Sequence, residues 1–168
     1  SGNSNIYLFL ADFSQLSDVA RLGSELLHAY PVIDVLCNNA GSVAATQQIT
    51  KEGFETTLVV NHLSGFLLTQ ILMPGLLKSS NEEKARIVFT SSTGHRHSAL
   101  DFDDLNLNQD FSTFKAYGRS KLMNLLTAKT LHQRYGDKVI VSAFHPGSVR
   151  TDIWSKGSLI GRLIGTVF

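Results

Sequence analysis

Apolar residues along this chain fall into two alternating patterns, short unbroken runs and longer stretches at helical spacing. The short runs are residues 6–10 (IYLFL), 33–37 (IDVLC), 87–89 (IVF) and 139–144 (VIVSAF). Runs of this length predict strands buried on both faces of a parallel sheet. After the first run, Asp12, Phe13 and Ser14 read as a turn with a helix-capping residue. Leu16, Val19, Ala20, Gly23, Leu26, Leu27 and Tyr30 then recur at helical spacing, and Pro31 lies just past the end. A second helical region spans 51–78, with a stripe of Phe54, Leu58, Val59, Leu63, Phe66, Leu67, Leu72 and Leu76; Pro74 should kink or end it. Residues 79–84 form a polar connection. Residues 95–112 read as a polar loop, and 114–135 as a third helix closed by Gly136.

The predicted order is β-α-β-α-β-α-β, which means parallel strands joined by right-handed crossovers. Ligands in such folds bind at the carboxyl ends of the strands. The chemically unusual residues gather there: Asp12, residues 38–41 (NNAG), Ser91 with Ser92, and Pro146 with Gly147.

Composition narrows the classes. The 168 residues amount to one domain, 43% hydrophobic and 17% charged, which is enough apolar matter for a core and excludes a disordered tail or a disulfide scaffold. The formal charge of +1 argues against a dedicated nucleic-acid binder, which carries a basic stripe. Cys37 stands alone, so no internal disulfide forms and a reducing compartment is favoured; inside a strand it reads as a small core residue. No run reaches the roughly 18 apolar residues of a spanning helix; the most membrane-like stretch, 154–168, is broken by Lys156 and Arg162. The start is polar, with neither a Met nor a basic signal region, and the end is apolar. Both ends lead us to expect a piece of something larger.

Tyr117 and Lys121 are four apart on a predicted helix and so share a face. An ammonium fixed beside a phenol favours phenolate and lowers its pKa, which makes the tyrosine a proton donor and acceptor near neutral pH. A packed aromatic with a solvated lysine would give the same spacing. His95 and His97 with Asp101, Asp103 and Asp104 imitate a metal cluster, but on a solvated loop; no metal is expected. Neither Ser91 nor Ser92 sits in the Gly-x-Ser-x-Gly of a serine hydrolase. Gly157, Gly161 and Gly165 recur every four residues and read as part of a mobile helix over a pocket.

Tyr117 and Lys121 do not stand alone. Ser92 ends a strand, Asn61 lies on the long helix, Asn38-Asn39-Ala40-Gly41 closes another strand, and Pro146-Gly147-Ser148-Val149-Arg150-Thr151 follows the last. This ordered set resembles the short-chain dehydrogenase/reductase superfamily over nearly the whole chain. The wording Asn-His-Leu-x-x-Phe-Leu-Leu-Thr, Ser-Lys-Leu-x-Asn-Leu-Leu and Phe-His-Pro-Gly is nearest its retinol dehydrogenase and WW-domain oxidoreductase-like branch. The resemblance implies an α/β, Rossmann-like three-layer fold with a parallel sheet, and a nicotinamide-dependent oxidoreductase of alcohols and carbonyls, with retinoid-, steroid- or lipid-like substrates in view. In that pattern Tyr117 exchanges the proton with the substrate oxygen, Lys121 tunes Tyr117 and holds the nicotinamide ribose, Ser92 holds the substrate oxygen, and Asn61 anchors a water. Asp12 matches the residue that touches adenine, and Asn38, Asn39, Ala40 and Gly41 match the turn along the adenosine. Pro146, Gly147, Val149 and Thr151 match the segment at the nicotinamide. Asn38 also reads as a structural tie between strands.

One family element is missing. Of the thirteen glycines no two are separated by a single residue, so Gly-x-Gly-x-x-Gly is absent. Matched to the family order 3-2-1-4-5-6-7, residues 6–10 are the third strand. The chain is then a single partial domain, 1–168, without the first two strands and the last. The residues that select NAD or NADP go with them; branch resemblance favours NADP. Related chains pack the two long helices against a symmetry mate, so the complete enzyme is expected to be a homodimer. Cytoplasmic and endoplasmic-reticulum-associated locations are both compatible. The competing reading is an inactive truncated product that serves only as an interaction module.

Overall fold

The computed structural model describes residues 2–79 and 84–147. Among these residues three of the four apolar runs become strands: β1 (Val35–Asn38), β2 (Ala85–Thr90) and β3 (Val139–Phe144). They pair in parallel in the order β1-β2-β3, with Leu36 beside Ile87 and Ile87 beside Val141. The helices are α1 (Leu16–Ala29), a short α2 (Thr56–Leu58) that runs through a π turn (Val59–Leu63) into α3 (Ser64–Leu76), and α4 (Thr113–Tyr135). Pro74 falls in the last turn of α3, where it ends the helix rather than kinking it.

Strand alternation sorts the sheet into two unlike faces. Ala85, Ile87 and Phe89 of β2 are at most 1% exposed and share one core with Val19 and Leu22 of α1, Leu72 and Leu76 of α3, and Ala128 and Leu131 of α4. The alternate positions point the other way. Val35, Arg86 and Ile140 are cross-strand neighbours in the register, and all three are exposed. So the strands are buried on one face, not on the expected two. Cys37 shares that bare face and is exposed, which corrects its assignment to the core.

The first run behaves differently as well. Residues 6–10 form no strand. Ile6, Tyr7, Leu8 and Leu10 are exposed, with Phe9 and Tyr7 leaning on Tyr30. A strand is defined by its neighbour, and β1 pairs only with β2, so this segment has no ladder to join. The observed order is α-β-α-β-α-β. Thr56–Leu76 is long and apolar enough to cross a membrane by composition, but half of it is buried in the fold, as a core helix would be.

Helix starts are secured by carboxylates. Glu55, 1% exposed, accepts from Thr57 N at 2.7 Å and Leu58 N at 2.8 Å. Glu52 accepts from Leu16 N at 3.0 Å and so serves the start of α1. Asp12 organises the preceding turn instead, accepting from Ser14 N, Ser14 Oγ and Gln15 Nε2. Glu55→Ala leaves two buried N–H groups without partners and should cost about 2–3 kcal/mol. Glu55→Gln keeps one acceptor and should cost less. Urea unfolding of both variants checks the order; equal stability of all three proteins would refute the cap.

Candidate active site

Where β2 ends, the backbone turns outward through two serines with different roles. Ser91 is buried and donates its hydroxyl to Lys121 O at 2.9 Å. Ser92 caps a 3-10 turn (Thr93–His97), accepting from Gly94 N at 3.3 Å, and its side chain hydrogen-bonds Tyr117. Ser92, Tyr117 and Lys121 therefore converge. Tyr117 and Lys121 lie one turn apart on α4, whose start is capped by the Ser112 hydroxyl accepting from Lys115 N.

Lys121 is 3% exposed, and no carboxylate pairs with it among the described residues. Its Nζ donates to Thr90 O at 3.0 Å and lies 5.5 Å from the centre of the Tyr117 ring. Burial lowers its pKa to about 8. Burial also pushes the Tyr117 phenol upward, and the Ser92 hydrogen bond pulls it partly back. The expected lowering of Tyr117 by the ammonium is not found here; desolvation sets the direction.

These values carry a stability consequence. Between pH 8 and 10.5 the folded chain binds fewer protons at Lys121 than the unfolded chain does, so this contribution to stability rises with pH across that window. Below pH 8 the full penalty for burying the ammonium stands. Lys121→Met removes a penalty of about 3 kcal/mol and loses a hydrogen bond worth about 1. The variant should be about 2 kcal/mol more stable than wild type at pH 7, with the advantage gone by the alkaline end of the window. Denaturant titrations at both pH values measure this; a less stable variant at pH 7 would contradict it.

Asn61 lies in the π turn, a widened turn that often marks functional positions. It is 4% exposed. Its Oδ1 accepts from Ser42 N at 2.7 Å, and its Nδ2 donates to Ser42 O at 2.9 Å and Ser120 Oγ at 3.1 Å. Asn61 thus ties the loop after β1 to α4. Gly41 lies in that loop, and a Cβ there would stand 3.4 Å from Asn61 Oδ1 and 3.6 Å from Lys121 Nζ. Asn38 donates to Thr69 Oγ1 at 2.9 Å, and Asn39 accepts from Thr90 Oγ1 at 2.8 Å. Asn38, Asn39 and Ala40 line an open cavity that reaches Asn61 and Phe13.

Other expected residues are less drawn in. Asp12 is exposed, and its hydrogen bonds to Gln15 and Ser14 hold its carboxyl below the usual carboxylate range. Pro146 and Gly147 are exposed beyond β3, with Gly147 at φ +80°. Val149 and Thr151, like the glycines at 157, 161 and 165, lie outside the described residues. His95 places Nδ1 against Ser92 O, and Asp104 accepts from Asn108 N and Gln109 N. Sequence reasoning missed Arg119. It is 6% exposed and donates to Asp101 O and Asp104 O at 3.1 and 3.0 Å, which clamps the long loop against α4. It also missed Asn124, buried three residues beyond Lys121; a polar side chain on the buried stripe of α4 was the available signal.

A nicotinamide dinucleotide fits part of this arrangement. Lys121 is a buried cation without a counter-charge, Gly41 leaves space beside it, and the cavity continues along the turn at 38–40. Among the described residues no glycine turn for a pyrophosphate is present.

The model of the short chain dehydrogenase family matches residues 2–158. Human retinol dehydrogenase 14 is 41% identical over 154 residues, covering 91% of this chain and 45% of its own length. The oxidoreductase calI of Penicillium decumbens is 41% identical over 150 residues, covering 87% of this chain and 43% of its own. Among solved structures, the RhlG/NADP active-site complex of Pseudomonas aeruginosa superposes with a TM-score of 0.63 at 26% identity, covering 93% of this chain and 56% of that one. The chain spans about half the length of the curated relatives it matches.

Proposed function

The chain belongs to the short chain dehydrogenase family, and from that membership and the geometry above we propose that it carries the proton-transfer half of a nicotinamide-dependent oxidoreductase acting on alcohols and carbonyls. The observation that carries this is the buried Lys121 ammonium beside Tyr117, with Ser92 on the phenol. An interaction module would give no reason to bury a lone cation. Tyr117 Oη transfers the proton to and from the substrate oxygen. The Ser92 hydroxyl donates to the same oxygen as negative charge develops on it. Lys121 holds the ribose and favours phenolate once its ammonium is engaged by that ligand, and Asn61 keeps the surrounding turn in place. Asn38, Asn39, Ala40 and Gly41 lie along the adenosine half, with Asp12 at its far end; Pro146, Gly147, Val149 and Thr151 serve the nicotinamide end. When bound, the dinucleotide supplies or accepts the hydride.

NADP is the favoured cofactor, since RhlG was solved with NADP at its active site. The likeness to retinol dehydrogenase 14 favours a retinoid-like or other lipid-like carbonyl. Absorbance at 340 nm in the full-length protein, with NADPH or NADH and a panel of retinal, steroid ketones and small aldehydes, tests the reading. Turnover of an apolar carbonyl supports it, and binding of dinucleotide without oxidation of it counts against it.

The complete enzyme is proposed to be a homodimer through α3 and α4. Phe66 on α3 and Phe114, Leu125 and Leu126 on α4 are 36–60% exposed, an apolar surface that a two-fold contact would cover. Light scattering of the full-length protein at micromolar concentration should give twice the subunit mass; a single-subunit mass would reject the dimer.

A further inference from the structure

His62 and Asn124 belong to two of the motifs quoted above, Asn-His-Leu and Ser-Lys-Leu-x-Asn, yet the chemistry just described uses neither. In the structure they meet. Asn124 is 3% exposed. Its Nδ2 donates to Asn61 O at 3.0 Å and, more loosely, to Thr90 O at 3.5 Å. Thr90 O is also the acceptor that holds Lys121 Nζ at 3.0 Å. On the other side, Asn124 Oδ1 faces His62 Nδ1 at 3.0 Å. Phe66 stacks on the His62 ring with centroids 6.1 Å apart.

The contacts fix the chemistry of both side chains. Reversing the amide would aim its oxygen at two carbonyl oxygens, so Nδ2 must face them. Oδ1 then requires a donor, and Nδ1 of His62 carries the proton. Burial holds the imidazole below its usual pKa, which favours the neutral ring with a single N–H at that nitrogen. Both ends of the Asn124 amide are therefore engaged, and a buried polar group held in this way is rigid.

We propose that Asn124, latched by His62, is a positioning residue of the catalytic site: it fixes the Thr90 carbonyl and the Asn61 turn, and through them the Lys121 ammonium beside Tyr117. The proposal rests on the functional reading of Tyr117 and Lys121 given above. A packing role alone would change stability without changing how Lys121 titrates.

The test uses the full-length protein with NADPH and a carbonyl that the wild type reduces. Asn124→Leu keeps the volume and removes the donors. His62→Phe keeps the ring against Phe66 and removes the latch, whereas His62→Asn returns an N–H close to the place of Nδ1. Asn124→Leu should lower kcat about ten-fold or more with little change in KM for the carbonyl, since a displaced catalytic group acts on the chemical step. With Thr90 O left wholly to the ammonium, protonated Lys121 is favoured, and the alkaline limb of kcat should move up by about half a pH unit or more. His62→Phe should repeat both changes in smaller measure, and His62→Asn should return most of the loss. If Asn124→Leu fails to fold, the His62 pair decides. Variants with wild-type pH limbs, or a His62→Asn no better than His62→Phe, overturn the proposal. A wild type that turns over no carbonyl overturns the functional reading instead. Nitrogen-15 NMR of His62 then decides the latch: loss of the Nδ1-protonated form in Asn124→Leu upholds it, and an unchanged ring refutes it.

Discussion

Tyr117→Phe in the full-length protein should reduce kcat by about a thousand-fold or more, since it removes the group proposed to transfer the proton and one partner of the Ser92 hydroxyl. Affinity for the dinucleotide should change little, because Lys121, the residue proposed to hold the ribose, remains in place. The packing that holds the ring stays, so the variant should fold. Steady-state rates with NADPH, together with a fluorescence titration of the cofactor, separate the two effects. A Phe variant within ten-fold of wild type would remove Tyr117 from its role.

The second large effect concerns the 168-residue chain by itself, which should bind NADPH or NADH several powers of ten more weakly than the full-length protein. A pyrophosphate commonly rests on free N–H groups at a helix N-terminus. Among the described residues, side chains already occupy part of each such helix start. Glu52 accepts from Leu16 N at the start of α1, Glu55 from Thr57 N and Leu58 N at the start of α2, and the Ser112 hydroxyl from Lys115 N at the start of α4. Two of the three are carboxylates, which repel a phosphate. Missing two or three charge-assisted hydrogen bonds at about 1.5–3 kcal/mol each lowers affinity by roughly two to six powers of ten. Calorimetry of the folded isolated chain should show no binding in the micromolar range. Micromolar binding would mean that residues assigned here to capping form a phosphate site.

How much of this was legible in the sequence depended on whether a feature is local. The α4 boundaries were nearly right because the apolar spacing and Gly136 are local signals. β3 was read to the residue because its run is bounded by Lys138 and His145. Residues 6–10 were misread because a strand needs a neighbour that no local pattern encodes. Cys37 and Ile140 were misread for a related reason. Alternation says which residues share a face, and not whether anything covers that face.

At the site, the one-turn spacing of Tyr117 and Lys121 follows from helix geometry and was readable. The choice of Ser92 over Ser91 came by resemblance; the structure adds a physical difference, since Ser91 spends its hydroxyl on Lys121 O. The π turn at Asn61 was not readable, because one widened turn leaves the apolar period almost unchanged. The direction of the Tyr117 shift was misjudged because spacing gives proximity but not burial. Arg119 and Asn124 escaped notice as polar residues on a helix, where the usual reading is a solvated face. Their burial reverses that reading, and only the packing reveals it.

Hydride delivery is the central claim, and isotope transfer tests it most directly. Full-length protein would be incubated with NADPH carrying deuterium at both C4 positions and an apolar carbonyl such as retinal. Mass spectrometry of the product should find a deuterium at the carbinol carbon with the wild type and none with Tyr117→Phe. A protein that binds the dinucleotide yet leaves the carbonyl unlabelled, or a Phe variant that labels it as fast as wild type, would contradict the account.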